Sequence, residues 1–396
     1  MTISKGSRTA KDFERNKPAD SVKSIFHLKM KILISPNTFK GTIEADQAAE
    51  IIQRSILSVK PDVKTMVCPI ADGGDGTCYL LGKALGLKPF KTMALDALGR
   101  PLEGFYFLDA LTKTAYVDVS TVSGIKSLKN HERNPWLAST YGTGIIIKKA
   151  IESGVEHIVL GLGGSASIDL GLGILRGLGY LFLDDKGREI PVFSENFLKK
   201  IRHIQSPLLK PKISFTCLCD VSNFFFGKYG AIPVFGPQKG LNESDFEEYE
   251  RDCSEVLKVL KQKSGKMIED QESFGAAGGI AFGLSFFFPV QIKMGAAWFF
   301  DKVDMSSKVS WADLIITGEG RYDSQSSAGK GSFELLQVAK NSEKDILLIT
   351  SGKEGLSEGF SAIIQLPDLD FSKNNVQEEA KDNLKEAVRN YFTNGF

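Results

Sequence analysis

Three short segments of this chain concentrate the residue types that handle anions: ADGGDGT at 71–77, GLGGSASIDLGLG at 161–173 and ITGEGRYDSQ at 316–325. Each opens on or follows an apolar, β-branched run and combines carboxylates, hydroxyls and glycines. Glycine lets a backbone approach a ligand closely and adopt positive φ. Carboxylates beside it can hold magnesium or accept a proton. Three such segments predict a composite polar site for an anionic ligand, which is the mark of an enzyme more than of a scaffold. The four histidines all lie outside these segments, so a general base is expected to be Asp or Glu.

Each candidate residue competes with a plainer role. Lys40 sits between Phe39 and Gly41 at a strand end, where function outweighs an ordinary surface lysine. Asp72 and Asp75 can contact metal or substrate, or cap the helix that follows, because Asp is a favoured N-cap. Ser165 and Asp169 can serve a ligand or close a turn. Asp220 can face the site or accept loop amides. Gln238 and Lys239 read as an exposed turn. Glu319, Arg321 and Asp323 form the densest charged cluster after any strand, and their plain role is a self-neutralising ion-pair network. The glycines of these loops, Gly73, Gly74, Gly163 and Gly164 among them, serve equally as turn formers.

The elements that must position these residues follow from periodicity. KILIS at 31–35 reads as a buried strand. A helix from about 44 to 59 carries Ala45, Ala48, Ala49, Ile52 and Ile56 on one face, and VKTMVCPI at 63–70 reads as the next strand. This βαβ unit predicts two parallel strands with a right-handed crossover. SPNTFKG (35–41) and ADGGDGT then leave the carboxyl ends of parallel strands, the edge where open α/β sheets bind ligands. Toward the C-terminus, strands are expected at 313–317, 345–350 and 362–366, with helices at 333–340 and around 376–388. The middle differs: strands at 114–120, 156–161 and 213–220 stand among glycine-containing loops, and an acidic helix covers about 243–263. The expected fold is therefore α/β. A discontinuous Rossmann/flavodoxin-like parallel-sheet domain (30–87 and 291–396) holds an inserted mixed α/β domain (88–290), with the active site between them. Residues 1–29 are expected to be a disordered extension, removable without loss of fold or activity.

Composition narrows the function further. At 42% hydrophobic and 24% charged, with a formal net charge of +1, the chain lacks the basic stripe of a nucleic-acid binder. The five cysteines have no framework or metal spacing and read as buried small hydrophobes in a reducing cytoplasm. The apolar run 275–300 is interrupted by Pro289, Gln291 and Lys293 and falls short of the about 18 residues that suggest a membrane span. It reads as a buried helix followed by a second apolar element. No glycine-rich loop ends in Gly-Lys-Ser/Thr, and the protein-kinase motifs are missing. Gly161, Gly163 and Ala166 fit a short dinucleotide-type pattern, and amides at a helix start there could contact phosphate.

At the level of whole segments the chain resembles the type I glycerate kinase family. The matching residues are SPNTFKG (35–41), PIADGGDGT (69–77), STYGTG (139–144), GLGGSASIDLGLG (161–173), CDVSN (219–223), VFGPQKG (234–240), GAAGG (275–279) and ITGEGRYDSQ (316–325). Their order and spacing cover nearly all of residues 30–396. Four departures stand out. Asn37 and Thr38 replace the usual Asp-Ser, Asp75 replaces Glu, Ile168 replaces Asn, and Gly331-Ser332-Phe333 replaces a proline-containing stretch.

The resemblance implies ATP-dependent phosphorylation of D-glycerate with magnesium, in a cleft between two α/β domains. Such a transfer needs positive charge at the γ-phosphate, a bridging metal, and a group that orients or deprotonates the hydroxyl. On that reading Lys40, Lys239 and Arg321 hold phosphate or the glycerate carboxylate, Arg321 through its planar fork. Glu319 and Asp323 hold magnesium. Asp169, ahead of Asp72, is the base. Gly73, Gly74, Asp75, Thr77, Gly163, Gly164, Ser165, Asp220, Gln238, Lys239 and Ser324 contact substrate or nucleotide. The expected partners are D-glycerate and ATP, with neither nucleic acid nor membrane, and with a homo-oligomer as an option. Two alternatives are a kinase of another hydroxy acid or sugar acid, and a non-catalytic sugar-acid sensor.

Overall fold

The computed structural model describes residues 29–322, 331–352 and 355–394, so the expected N-terminal extension falls outside the described residues except for Lys29. The strand Lys31–Ile34 (β1) shows how the molecule is layered. Ile32 and Ile34 point into one core and Leu33 into another, because successive strand side chains face opposite ways. The helix Ala45–Val59 buries Ala48, Ala49, Ile52 and Ile56 on the Ile32 side. It stops before Pro61, and Lys64–Val67 (β2) returns parallel to β1, with Lys31 opposite Lys64.

The chain then builds Pro89–Leu95 (β3), Pro101–Asp109 (β4), Thr114–Asp118 (β5), His157–Gly161 (β6), Leu181–Leu183 (β7), His203–Gln205 (β8), Ser214–Cys219 (β9) and Val290–Met294 (β10). It closes with Leu314–Gly318 (β11), Asp345–Thr350 (β12) and Ala362–Gln365 (β13). β13-β12-β11-β1-β2 form a sheet in which every pairing is parallel. In chain order this is the flavodoxin-like doubly wound arrangement, with the order reversing between β1 and β11. The larger sheet, β10-β9-β6-β5-β4-β3, is parallel from β10 to β5 and antiparallel at its β4–β3 edge. β7 and β8 pair separately. The fold is thus α/β with one parallel and one mixed sheet.

Three large apolar cores lie among five layers, the middle one spanning both sides of the helices between the sheets. The helices Ala45–Val59 and Val376–Asn394 cover one face of the parallel sheet, where Leu384, Val388 and Phe392 meet Ile316, Leu347 and Ile349. Its other face shares a core with the larger sheet. There Leu33, Ile315 and Leu348 meet Tyr116, Val159 and Leu218 through Cys78, Leu81, Phe299, Leu335 and Leu336 of the intervening helices. The third core lies beyond, where Val117, Leu160 and Cys217 pack beneath the helices Tyr141–Glu152, Leu172–Gly177 and Phe246–Ser264. The two sheets are therefore tied through one continuous apolar layer.

One detail differs from the expected organisation. β10 joins the larger sheet, so that sheet extends past the boundary expected at residue 290. The run 275–300 folds as a short turn, the helix Ile280–Ser285, β10 and the helix Gly295–Lys302. No helix among the described residues is long and apolar enough to cross a membrane. All five cysteines are free and buried.

Candidate functional site

Loops that follow β1, β2, β5, β6, β9, β11, β12 and β13 line one cleft, so segments far apart in sequence meet there. After β1, Ser35 N–H donates to the Ile316 carbonyl (2.7 Å) and Asn37 N–H to the Gly318 carbonyl (2.8 Å), fixing the Asn37–Lys40 turn beside the end of β11. After β2, Ile70 N–H donates to the Pro36 carbonyl (2.8 Å), which brings Asp72 against Asn37. After β6 and β9, Leu162 N–H donates to the Leu218 carbonyl (2.9 Å), aligning the Gly163–Ser165 and Asp220 loops.

Backbone meets backbone where these loops cross. A side chain on Gly163 would overlap the Gly74 carbonyl carbon and the Asp75 amide. Gly73, at φ +99°, would overlap the Cys219 carbonyl if it carried a Cβ. Only glycine permits that approach. The Thr77 hydroxyl braces the same turn, accepting from Gly73 N–H (3.1 Å) and donating to the Gly74 carbonyl (2.9 Å).

Two joined cavities result. The first, about 510 Å³, is lined by Lys40, Asp72, Gly74, Asp75, Gly163, Gly164, Ser165, Asp220, Gln238 and Lys239 of the expected site. The second, about 620 Å³, is lined by Lys40, Asp72, Glu319 and Arg321. Asn37, Thr38, Lys40 and Asp72 belong to both walls. The Asn37 carboxamide is oriented by Thr38 N–H, which donates to its Oδ1 (2.7 Å), so its Nδ2 donates to Asp72 Oδ2 (2.9 Å). Asp72 Oδ1 accepts from Gly74 N–H (3.1 Å).

Several expected roles change. Asp169 lines neither cavity. It is 5% exposed, and its oxygens accept from Thr140 N–H and Oγ1, Ser167 Oγ, Gly171 N–H and Gly173 N–H at 2.8–3.2 Å. Five donors thus tie this carboxylate to the loops around it. Lys239 is buried rather than exposed, its Nζ donating to Ser165 Oγ (2.8 Å) and the Ser167 carbonyl (2.7 Å). Burial pushes its ammonium down to about 7, against the opposing pull of Asp169. Gln238 beside it stays exposed.

Neither Asp72 nor Asp75 caps the helix Thr77–Ala84. Asp118 at the end of β5 does so across the fold, accepting from Cys78 N–H (3.0 Å) and Tyr79 N–H (2.8 Å). Burial raises the Asp118 carboxyl to about 7 despite those amides. Asp75 instead pairs with Lys126 (2.8 Å), which also reaches Glu44 (2.8 Å). Glu319 is buried beyond β11 and Arg321 is exposed. Asp323 and Ser324 lie outside the described residues.

Reading from sequence left Asn37, Thr38 and Lys126 out of the site, and it did not foresee Asp118, which lines neither cavity but holds the start of the helix Thr77–Ala84. The first two lie within SPNTFKG and were open to inclusion. Lys126 and Asp118 carry no motif, and only the meeting of distant strands reveals them.

The family model described as the glycerate kinase family matches residues 32–394. The glycerate kinase of Haemophilus influenzae is 34% identical, over 91% of this chain and 97% of its own. The glycerate 2-kinase of Escherichia coli is 30% identical over the same shares of each, 91% and 97%. A crystal structure of a Salmonella typhimurium LT2 protein assigned as glycerate kinase 2 superposes with a TM-score of 0.76 at 28% identity, covering 92% of this chain and 97% of that one. With the family model spanning nearly the whole folded chain, and relatives matched from end to end, this protein belongs to the glycerate kinase family.

Proposed function

We propose that the protein transfers the γ-phosphoryl group of ATP to a hydroxyl of D-glycerate. The observation that carries this reading is the convergence of the family's motif segments on one cleft, where Lys40 and Asp72 stand on the wall common to both cavities. In the transfer, the glycerate hydroxyl oxygen bonds to the γ-phosphorus as the bond from that phosphorus to the β–γ bridging oxygen breaks. ADP departs with the electron pair, and Asp72 accepts the hydroxyl proton. Lys40 is placed to neutralise charge on the moving group, because electrostatic stabilisation and positioning dominate this chemistry. The five buried free thiols suit a reducing cytoplasm.

Among the described residues no group of three or more acidic, His or Cys side chains forms a metal cage. Magnesium needs only one or two carboxylates when phosphate oxygens complete its shell. Glu319, buried and lining the second cavity, fits that requirement. Glu319 would hold magnesium there, and the metal would supply charge neutralisation.

ADP release in a coupled assay with Mg-ATP and a panel of hydroxy acids tests the reading, and D-glycerate is the expected acceptor. Robust turnover of a different acid, with none of D-glycerate, overturns it. Phosphorus NMR of the product then assigns the 2- or 3-position.

Arg321→Lys is expected to raise a KM about 10-fold, because lysine keeps the charge and loses the paired planar donors that suit phosphate or carboxylate. Arg321 is exposed, so the melting temperature should stay within a degree or two of the parent. A lowered melting temperature with unchanged kinetics would return Arg321 to an ion-pair role.

A further inference from the structure

The two cavities share a wall yet differ in chemistry. The first brings the glycine loops of Gly163 and Gly164 together with Ser165, the buried Lys239 and Lys126, the last paired with Glu44 and Asp75, and its apolar lining is scattered over Ile125, Leu162 and Phe235. Across Asn37, Thr38, Lys40 and Asp72, the second turns apolar, with Phe39, Ile43, Leu366, Leu369 and Phe371 around its floor and rim. Glu319 and Arg321, just beyond the end of β11, also line it.

Phe371 is the anomaly in this lining. It is 65% exposed, in a chain that buries most of its large aromatic rings. It lies over the Lys40–Gly41 turn, where a methyl on Gly41 would come within 3.3 Å of its ring. An aromatic face left open beside a cavity of ligand size is what a planar heterocycle covers. The second cavity also lies at the ends of β1 and β11, the point where the strand order reverses, and open α/β sheets place ligands in that crevice.

A three-carbon hydroxy acid has no apolar surface to lay on Phe371, Leu366 and Leu369. It needs a cation and amide or hydroxyl donors, which the first cavity supplies. There Lys239, 3% exposed, holds its ammonium on Ser165 Oγ, and Gln238 adds an exposed carboxamide.

Resting on the kinase reading above, we propose that the cleft is partitioned. The purine base of the nucleotide occupies the apolar cavity against Phe371, with its phosphates running past Arg321 and Glu319 toward Lys40. The acceptor acid occupies the glycine-lined cavity with Lys239 and Gln238. The phosphoryl group crosses at the shared wall of Asn37, Thr38, Lys40 and Asp72.

Two variants and two readouts test the partition in the full chain. Phe371→Ala is expected to raise both the KM for ATP and the Kd for ADP, measured by calorimetry, about 10-fold, leaving the KM for D-glycerate within twofold. Gln238→Ala is expected to raise the KM for D-glycerate about fivefold and leave the ADP Kd unchanged. Both side chains are exposed, so both variants should fold. The reverse pattern, or an ADP Kd that ignores Phe371→Ala, overturns the partition. Normal turnover with an ADP Kd indifferent to Phe371 sinks the partition alone. Absent turnover of D-glycerate, with ADP binding weakened by Phe371→Ala, sinks the acceptor assignment and keeps the base subsite.

Discussion

Asp72→Asn is expected to lower kcat by about 10²–10⁴-fold, the usual size of a general-base contribution. Both KM values should move only a few-fold. Asp72 lines both cavities, and its carboxylate is aimed by two donors, Asn37 Nδ2 (2.9 Å) and Gly74 N–H (3.1 Å). Each oxygen retains lone pairs beyond these two bonds, so the group can accept a substrate proton while its orientation is held. Asparagine preserves the size of the side chain. It can still accept from Asn37, but it then turns its own N–H₂ toward Gly74 N–H, so a small stability loss accompanies the loss of proton acceptance. The comparison of kcat with melting temperature separates the roles. A kcat within fivefold of the parent, whatever the melting temperature, would show that Asp72 only braces the Asn37 turn.

Some of this site could be read from the sequence because its information is local. The apolar run 31–35, the one-sided apolar face of the helix from about 44 to 59 and the next strand pattern at 63–70 marked a βαβ unit, so the direction of its loops followed. The glycine-rich segments then pointed to the carboxyl edge of the strands. What stayed hidden depends on contacts between distant segments. Replacing the family's usual Asp by Asn37 reads, in sequence, as a lost carboxylate. In the fold its Nδ2 donates to Asp72 Oδ2, a bond that a carboxyl group at 37 could make only by carrying a proton. Lys239 reads as a turn lysine because Gly236, Pro237 and Gly240 surround it. The short helix Pro237–Lys239 instead carries its Nζ beneath Ser165 and Ser167. The helix Thr77–Ala84 looks as if it should be capped from its own loop, yet Asp118 of the neighbouring sheet takes that place. No pattern within a window of residues could report a partner drawn from another sheet.

Asp169→Ala is expected to be the most damaging of these changes to stability and a poor probe of chemistry. The carboxylate lies 5% exposed between the Ser167–Gly173 loop and the start of the helix Tyr141–Glu152. It gathers the Thr140 amide and hydroxyl (2.8 Å each), Ser167 Oγ (3.2 Å) and the amides of Gly171 and Gly173 (3.2 Å each). It also provides the negative charge that supports the buried Lys239 ammonium. Alanine leaves those donors without their acceptor and a buried cation without its counter-charge. Removing one partner of such an arrangement costs about 3–5 kcal/mol. The melting temperature should fall by about 4–6 °C. Asp169→Asn should lie between the two, since its carbonyl keeps part of the network while its N–H₂ meets amide donors. The kinetics of the folded fraction carry the decision. Asp169 lines neither cavity, so kcat per folded molecule should drop by less than about 10-fold, through disorder of the Ser165–Lys239 contact rather than loss of a proton acceptor. A general base would behave oppositely, with a melting temperature near the parent's and kcat lowered by about 10²–10⁴-fold. That second outcome would restore Asp169 as the base and leave Asp72 as the group that holds Asn37 in place.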